Sequence, residues 1–155
     1  MSRHPHWKPH HLELVKTLDT YAEMRDLAFA LLQDLQAPII QVCGPLTTGG
    51  RGSFDANVEA LHDAIHWLVG QGKSVFDQRP FETPMRRLVE ARTVSGYAYD
   101  LLTEFYLPVF ESGHIKELHF LHDWESSIGA RWEYEQGVRL GIAIFHIPQD
   151  FSEKS

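Results

Sequence analysis

The chain has 155 residues, 43% hydrophobic and 23% charged, with a formal net charge of −7. That length fits one domain with a sizeable core, and the acidic balance argues against a nucleic-acid polymer as partner, since such binders carry a basic excess. The single cysteine, Cys43, excludes an internal disulfide and fits a reducing compartment. No apolar run reaches membrane-span length, and the first residues are polar and His-rich rather than signal-like. A cytoplasmic protein with no membrane partner is therefore expected.

Residues 1–11 carry His4, His6, His10 and His11 together with Pro5 and Pro9. Prolines at this density resist a helix, so the segment reads as a flexible surface tail. From Leu12 onward, Leu14, Leu18, Tyr21, Leu27, Leu31 and Leu35 recur at helical spacing. They predict one amphipathic N-terminal helix over 12–36, with a break near Glu23, ahead of the main domain at 37–150.

Within that domain, the apolar run Pro38 to Cys43 predicts a buried first strand. Ser53 is placed to cap the next helix, whose buried positions are Val58, Leu61, Ile65 and Leu68. Residues 74–77 predict a second strand. A long helical region follows from about Pro84 to Phe110, with interruptions at Ser95-Gly96 and Pro108. Residues 117–121 predict a third strand, Ser127 to Leu140 a helix, and 142–147 a fourth strand. Strands alternating with helices imply an α/β, Rossmann-like (flavodoxin-like) parallel sheet of four to five strands flanked by helices, with the N-terminal helix as an addition. Such sheets bind ligands at the carboxyl ends of their strands. The loops 44–53, 77–83 and 122–128 meet that rule.

The loop from Gly44 to Gly52 holds four glycines, Thr47, Thr48 and Arg51 between a strand and a helix. Backbone N–H groups and a helix N-terminus there suit a phosphate or a sugar; a plain surface turn is the alternative. It is neither a Walker A loop nor a Gly-x-Gly-x-x-Gly fingerprint. His62-Asp63-Ala64-Ile65-His66 has two histidines at i, i+4, but zinc needs a third protein ligand. Solvated or boundary histidines are the preferred reading, and no metal is expected.

Glu133 is a lone carboxylate with Gly129 and Gly137 four residues away on each side. Small residues at i±4 clear space over it, and the helix N-terminus is expected to keep the acid ionised. The alternative is a glycine-bearing helix packed closely on the sheet. Asp100, beside Tyr97 and Tyr99, reads either as an acid for a leaving group or as a helix-surface carboxylate. Arg131, Glu135 and Arg139 form an i, i+4 charge ladder. Trp124, Trp132 and Cys43 read as packing residues.

Three segments together carry a resemblance: Cys43-Gly44-Pro45-Leu46-Thr47 after the first strand, Asn57 in the next helix, and Trp124-x-x-Ser127-x-Gly129-Ala130-x-x-Glu133 before the last strand. On these the chain resembles the nucleoside 2-deoxyribosyltransferase superfamily from Pro38 to Ile147, particularly small domains related to 2'-deoxynucleoside 5'-monophosphate N-hydrolases. The resemblance implies a retaining nucleophile at Glu133 and an assisting acid at Asp100. It implies contacts to sugar or phosphate from Gly44, Pro45, Leu46, Thr47, Gly49, Arg51, Asn57, Ser127 and Gly129. The implied substrate is a small-molecule nucleoside or nucleotide, with no metal or organic cofactor, in a homo-oligomer that uses the helix 12–35. A non-catalytic module binding a nucleotide or nucleotide sugar is the alternative. Two features depart from the pattern: the added N-terminal helix, and Asp77-Gln78-Arg79-Pro80 where Asn-Pro is usual.

Overall fold

A computed structural model describes residues 4, 6–46, 49–92 and 96–151. Four parallel strands form one sheet in the order β2-β1-β3-β4, with β1 Ile39–Cys43, β2 Ser74–Val75, β3 Ile115–Phe120 and β4 Ala143–His146. The helices are α1 Pro9–Val15, α2 Tyr21–Gln33, α3 Phe54–Gly70, α4 Glu82–Glu90, α5 Tyr99–Leu101, α6 Leu107–Glu111 and α7 Ile128–Leu140. This is the expected Rossmann-like α/β architecture.

Every residue of β1 is buried, because helices cover both faces of a parallel sheet. The strand's period of two divides its side chains between those faces. Ile40 and Val42 pack with Leu61, Ala64, Ile65 and Leu68 of α3. Ile39 and Cys43 join the other core, with α2, the α5–α6 region and α7 around them. Gln41 therefore points toward α7. That helix lies close on the sheet, because a Cβ on Gly137 would meet Leu118 Cδ1 at 2.6 Å and Ile144 Cδ1 at 3.0 Å. Close packing, rather than space over Glu133, accounts for Gly137.

The expected single N-terminal helix is two helices. Thr20 Oγ1 accepts from Glu23 N at 3.0 Å and Glu23 Oε1 accepts from Asp19 N at 3.1 Å. This capping arrangement starts a new helix at Tyr21, so the break falls before Glu23 and Leu14 stays 47% exposed. The stripe Met24, Leu27, Ala28, Leu31 and Leu32 is buried in the chain's own core. That apolar stripe is therefore used within the chain.

The described part of the His-rich segment is packed rather than loose. Trp7 is buried, its Nε1 donates to the Asp77 carbonyl at 2.7 Å, and its ring meets Phe81 edge-on at 5.1 Å. His4 Nδ1 lies 2.8 Å from Asp77 Oδ2, and His6 Nε2 accepts from Asp77 N at 2.7 Å. Pro9 opens α1 instead of preventing it, since proline is tolerated at the first helical position.

The second strand is shorter than expected, although Phe76 N still donates to Ile40 O at 2.8 Å. Pro108 does not break its helix. The turn before it, Leu102–Tyr106, is π-helical, and proline is accepted near the start of the α-helical turn that follows. The helical region is interrupted as expected around Ser95-Gly96: α4 ends at Glu90, Gly96 has a φ of 99° and α5 starts at Tyr99, while residues 93–95 lie outside the described residues. The Arg131–Glu135–Arg139 ladder is replaced at its end, where Arg139 reaches Gln136 Oε1 at 2.8 Å and Glu111 at 3.9 Å. Among the described residues no helix is long and apolar enough to cross a membrane.

Candidate active site

With β1 between β2 and β3, the chain leaves β1 toward one neighbour and returns on the other side. The carboxyl ends of β1 and β3 thus form the topological switch point, where open α/β sheets bind ligands. The loop after β1 and the turn after β3 are tied together there. Gly50 N donates to Ser126 Oγ at 2.8 Å and Arg51 Nε lies 3.3 Å from Asp123 Oδ2.

Asn57 organises that loop from one turn into α3. Its Oδ1 accepts from Arg51 N at 2.8 Å, and its Nδ2 donates to Leu46 O at 3.0 Å and Gly49 O at 3.2 Å. Gly49 and Gly50 adopt φ of 68° and 72°, which side-chain-bearing residues rarely take. A Cβ on Gly49 would also collide with the Ser126 carbonyl. From Gly49 to Gly52 the loop is therefore a bend held by Asn57, which acts there as a positioning residue. Asn57→Ala is expected to cost about 1–2 kcal/mol by removing three part-buried hydrogen bonds to the loop backbone. Thermal melts would read that loss, and faster amide exchange at Arg51 would localise it.

Glu133 sits on α7 and is 7% exposed. Its Oε2 accepts from Gln41 Nε2 at 2.9 Å and from the Cys43 thiol at 3.4 Å. Burial pushes its carboxyl up to about 8, against the two hydrogen bonds that favour the anion. The expectation of an ionised acid fails for a positional reason. Ser127 is the N-cap of α7, so Glu133 lies beyond the first turn, where the helix dipole has faded, and desolvation dominates. Burial and the neighbouring Glu133 also push up the Cys43 thiol, and the same two causes push up the Tyr106 phenol.

A small chamber of about 40 Å³ adjoins this carboxylate, lined by Gly44, Leu46, Ser127 and Gly129 among others. Ser127 Oγ caps α7 by accepting from Ala130 N at 3.2 Å; its hydroxyl hydrogen can still be donated. Gly129 admits the Tyr97 hydroxyl, which a Cβ would meet at 2.7 Å. The chamber thus gathers Glu133, Gly44, Leu46, Ser127 and Gly129 of the residues the sequence nominated.

Other nominated residues lie elsewhere. Pro45 is buried in the bend against Gly50, Arg51 is committed to Asp123, and Thr47 is outside the described residues. Asp100 is not brought to Glu133. It faces Arg92 at 3.5 Å and Tyr21, whose phenol burial and Asp100 push up to about 12. Its neighbours Leu101 and Leu102 line the chamber, and Asp100 does not.

Three polar residues of the chamber wall, Gln78, Tyr97 and Tyr106, escaped the sequence reading, and so did Gln41, which holds Glu133 from β1. Gln78 lines the chamber and donates Nε2 to Val42 O at 3.2 Å, while its buried Oε1 has no hydrogen-bond partner among the described residues. Gln41 is fully buried, and its Oε1 is likewise unmatched. A glutamine inside the apolar run of β1 was the available signal, because a buried amide demands a polar partner. Trp124 and Trp132 are packing residues, stacked on Tyr134 at 4.7 Å and on Phe110 at 6.1 Å.

Glu59, His62 and Asp63 bring potential ligand atoms within 4.8 Å of one another. His62 Nδ1, however, meets the guanidinium of Arg79. Arginine can only donate, so that nitrogen is an acceptor already in use, and the fixed positive charge opposes a cation.

No protein-family model, curated protein or solved structure matches this chain.

Proposed function

We propose that this chain cleaves the N-glycosidic bond of a nucleoside or nucleoside 5'-monophosphate, or transfers its sugar, with Glu133 as the nucleophile toward the anomeric carbon. The observation that carries this reading is a buried carboxylate at the switch point, facing a chamber edged by glycine backbone and the capping serine of α7. A nucleophilic carboxylate must be ionised when the bond breaks. The positive charge developing on the sugar would stabilise it, so burial that weakens the resting anion strengthens its pairing with the transition state.

The step is a retaining displacement. Glu133 Oε bonds to the anomeric carbon as the carbon–nitrogen bond breaks, with the electron pair leaving on the base. One water in total supplies a proton to the base and hydroxyl to the sugar, and the carboxylate is regenerated. In transfer, a second base replaces that hydroxyl. Gln78 Oε1 offers an acceptor for a sugar hydroxyl, and the Ser127 hydroxyl offers a donor for a phosphate.

The pH dependence tests the role. A nucleophile whose carboxyl titrates at about 8 gives base release that rises roughly tenfold per pH unit below that value and levels above it. A Glu133 acting as an acid gives the mirror profile. Incubating the chain with a panel of nucleosides and their monophosphates from pH 5 to 9, with free base quantified, separates the two. Binding without base release across the range would replace the enzyme with a nucleotide-binding module.

A further inference from the structure

The chamber beside Glu133 has room for about three waters, too little for a sugar and a base together. It does not stand alone. A cleft of about 520 Å³ lies against it and shares Met85, Tyr97 and Leu101 with its wall. That volume falls in the range of small-molecule sites.

The cleft runs between the start of α3 and the outer side of α4. Phe54 forms one wall, with the Arg86 guanidinium 3.9 Å from its ring centre. Arg86 Nε also lies 3.4 Å from Glu82 Oε1, and its side chain is half exposed. Glu90 and Val89 continue the lining. The wall therefore offers an aromatic–guanidinium stack, apolar side chains and two carboxylates, and its one cation is already matched by Glu82. Such a surface suits a flat ring that donates hydrogen bonds at its edge. It does not suit a phosphate.

We propose that this cleft is the leaving-group subsite of the Glu133 chamber, and that it takes a planar nitrogen heterocycle bearing an exocyclic amino group. The proposal rests on the glycosidic reading given above and narrows its substrate to amino-bearing bases. With the base in the cleft, the sugar would reach toward Glu133 past Met85, Tyr97 and Leu101, the three residues that line both spaces. The phosphate then belongs on the Gly44–Ser127 side, away from Glu82 and Glu90.

The test titrates the full chain with free bases in matched pairs, adenine against hypoxanthine and cytosine against uracil, by calorimetry. The amino member of each pair is expected to bind about tenfold more tightly, because a carboxylate accepts from an amino group and repels an oxo group. Glu82→Gln should level the pairs, and Phe54→Ala should weaken both members about tenfold by removing the ring face. Arg86→Ala, at a half-exposed side chain, repeats the second measurement should Phe54→Ala fold poorly. Equal affinity within each pair, or binding indifferent to these changes, would overturn the proposal. Base release that depends on Glu133 but not on the cleft would sink this inference alone. Amino-base binding in the cleft with no Glu133-dependent release would instead sink the glycosidic reading.

Discussion

Glu133→Gln is expected to abolish base release and, at pH 8, to raise the melting temperature by about 10–15 °C. Both effects have one cause. In the folded chain the carboxyl titrates at about 8, against 4.5 for an unperturbed glutamic acid. Between those values the folded state holds more protons than the unfolded state, so stability falls as pH rises through this window. Below pH 4.5 the burial has no ionisation cost. Above about 8 the full penalty is present, on the order of 5 kcal/mol. Glutamine keeps the shape of the protonated acid and can still accept from Gln41, yet never ionises. Melts of both proteins at pH 4.5 and pH 8 check the argument: the gap should be small at the first and large at the second. A gap independent of pH, or a less stable variant at pH 8, would mean that Glu133 is not held in the environment described. A site that is stabilised by losing its acid is one that retains the acid for another purpose.

Asp77→Ala is expected to destabilise the chain by about 3–5 kcal/mol, because it removes the carboxylate opposite a buried guanidinium. Asp77 is fully buried, and its two oxygens each take a 2.8 Å contact from Arg79. His4 shares Oδ2, and the Asp77 backbone receives His6 and Trp7. Burial opposes ionisation of this carboxyl, but the bonds from His4 and Arg79 outweigh it and hold it well below the usual range. Its contribution is present above the ordinary carboxyl value and is lost as pH falls below it. His6 acts in the same direction. Burial lowers its imidazole from 6.5 to about 4, so the unfolded state binds more protons between those values and stability declines as pH drops from 6.5 toward 4. The expected result is a fall in melting temperature of about 10 °C for the variant at neutral pH. The wild type should also show acid sensitivity that His6→Gln reduces between pH 6.5 and 4. A melting temperature within about 2 °C of wild type would show that the His-rich segment and Arg79 do not depend on Asp77.

The site was legible where residue type alone fixed local geometry. Ser53 and Ser127 announce helix starts because a side-chain oxygen ahead of an apolar-periodic run satisfies orphan N–H groups. Both cap as expected, at 3.2 Å to Ala56 N and Ala130 N. Glu133 and the glycine bend near it were visible as an isolated acid and a cluster of breakers. Asp100 was equally visible and misleading. A carboxylate beside tyrosines looks like an acid for a leaving group, but the turn of its short helix aims it at Arg92 and Tyr21. The histidine segment was misjudged on composition. Proline density argues against helix only in the interior, and nothing local reveals that Asp77, some seventy residues on, waits for Trp7 and His4.

By itself the sequence determined the alternation of strands and helices, the caps at Ser53 and Ser127, and hence a parallel sheet. These follow from periodicity and backbone hydrogen bonding, which act over a few residues. Tertiary structure alone decided the protonation of Glu133, the pairing of Asp77 with Arg79, and the company of Gln41, Cys43 and Tyr106 around the acid. Those depend on desolvation and on contacts between residues up to ninety-two positions apart, and no local pattern encodes the dielectric a side chain meets once the chain has closed around it.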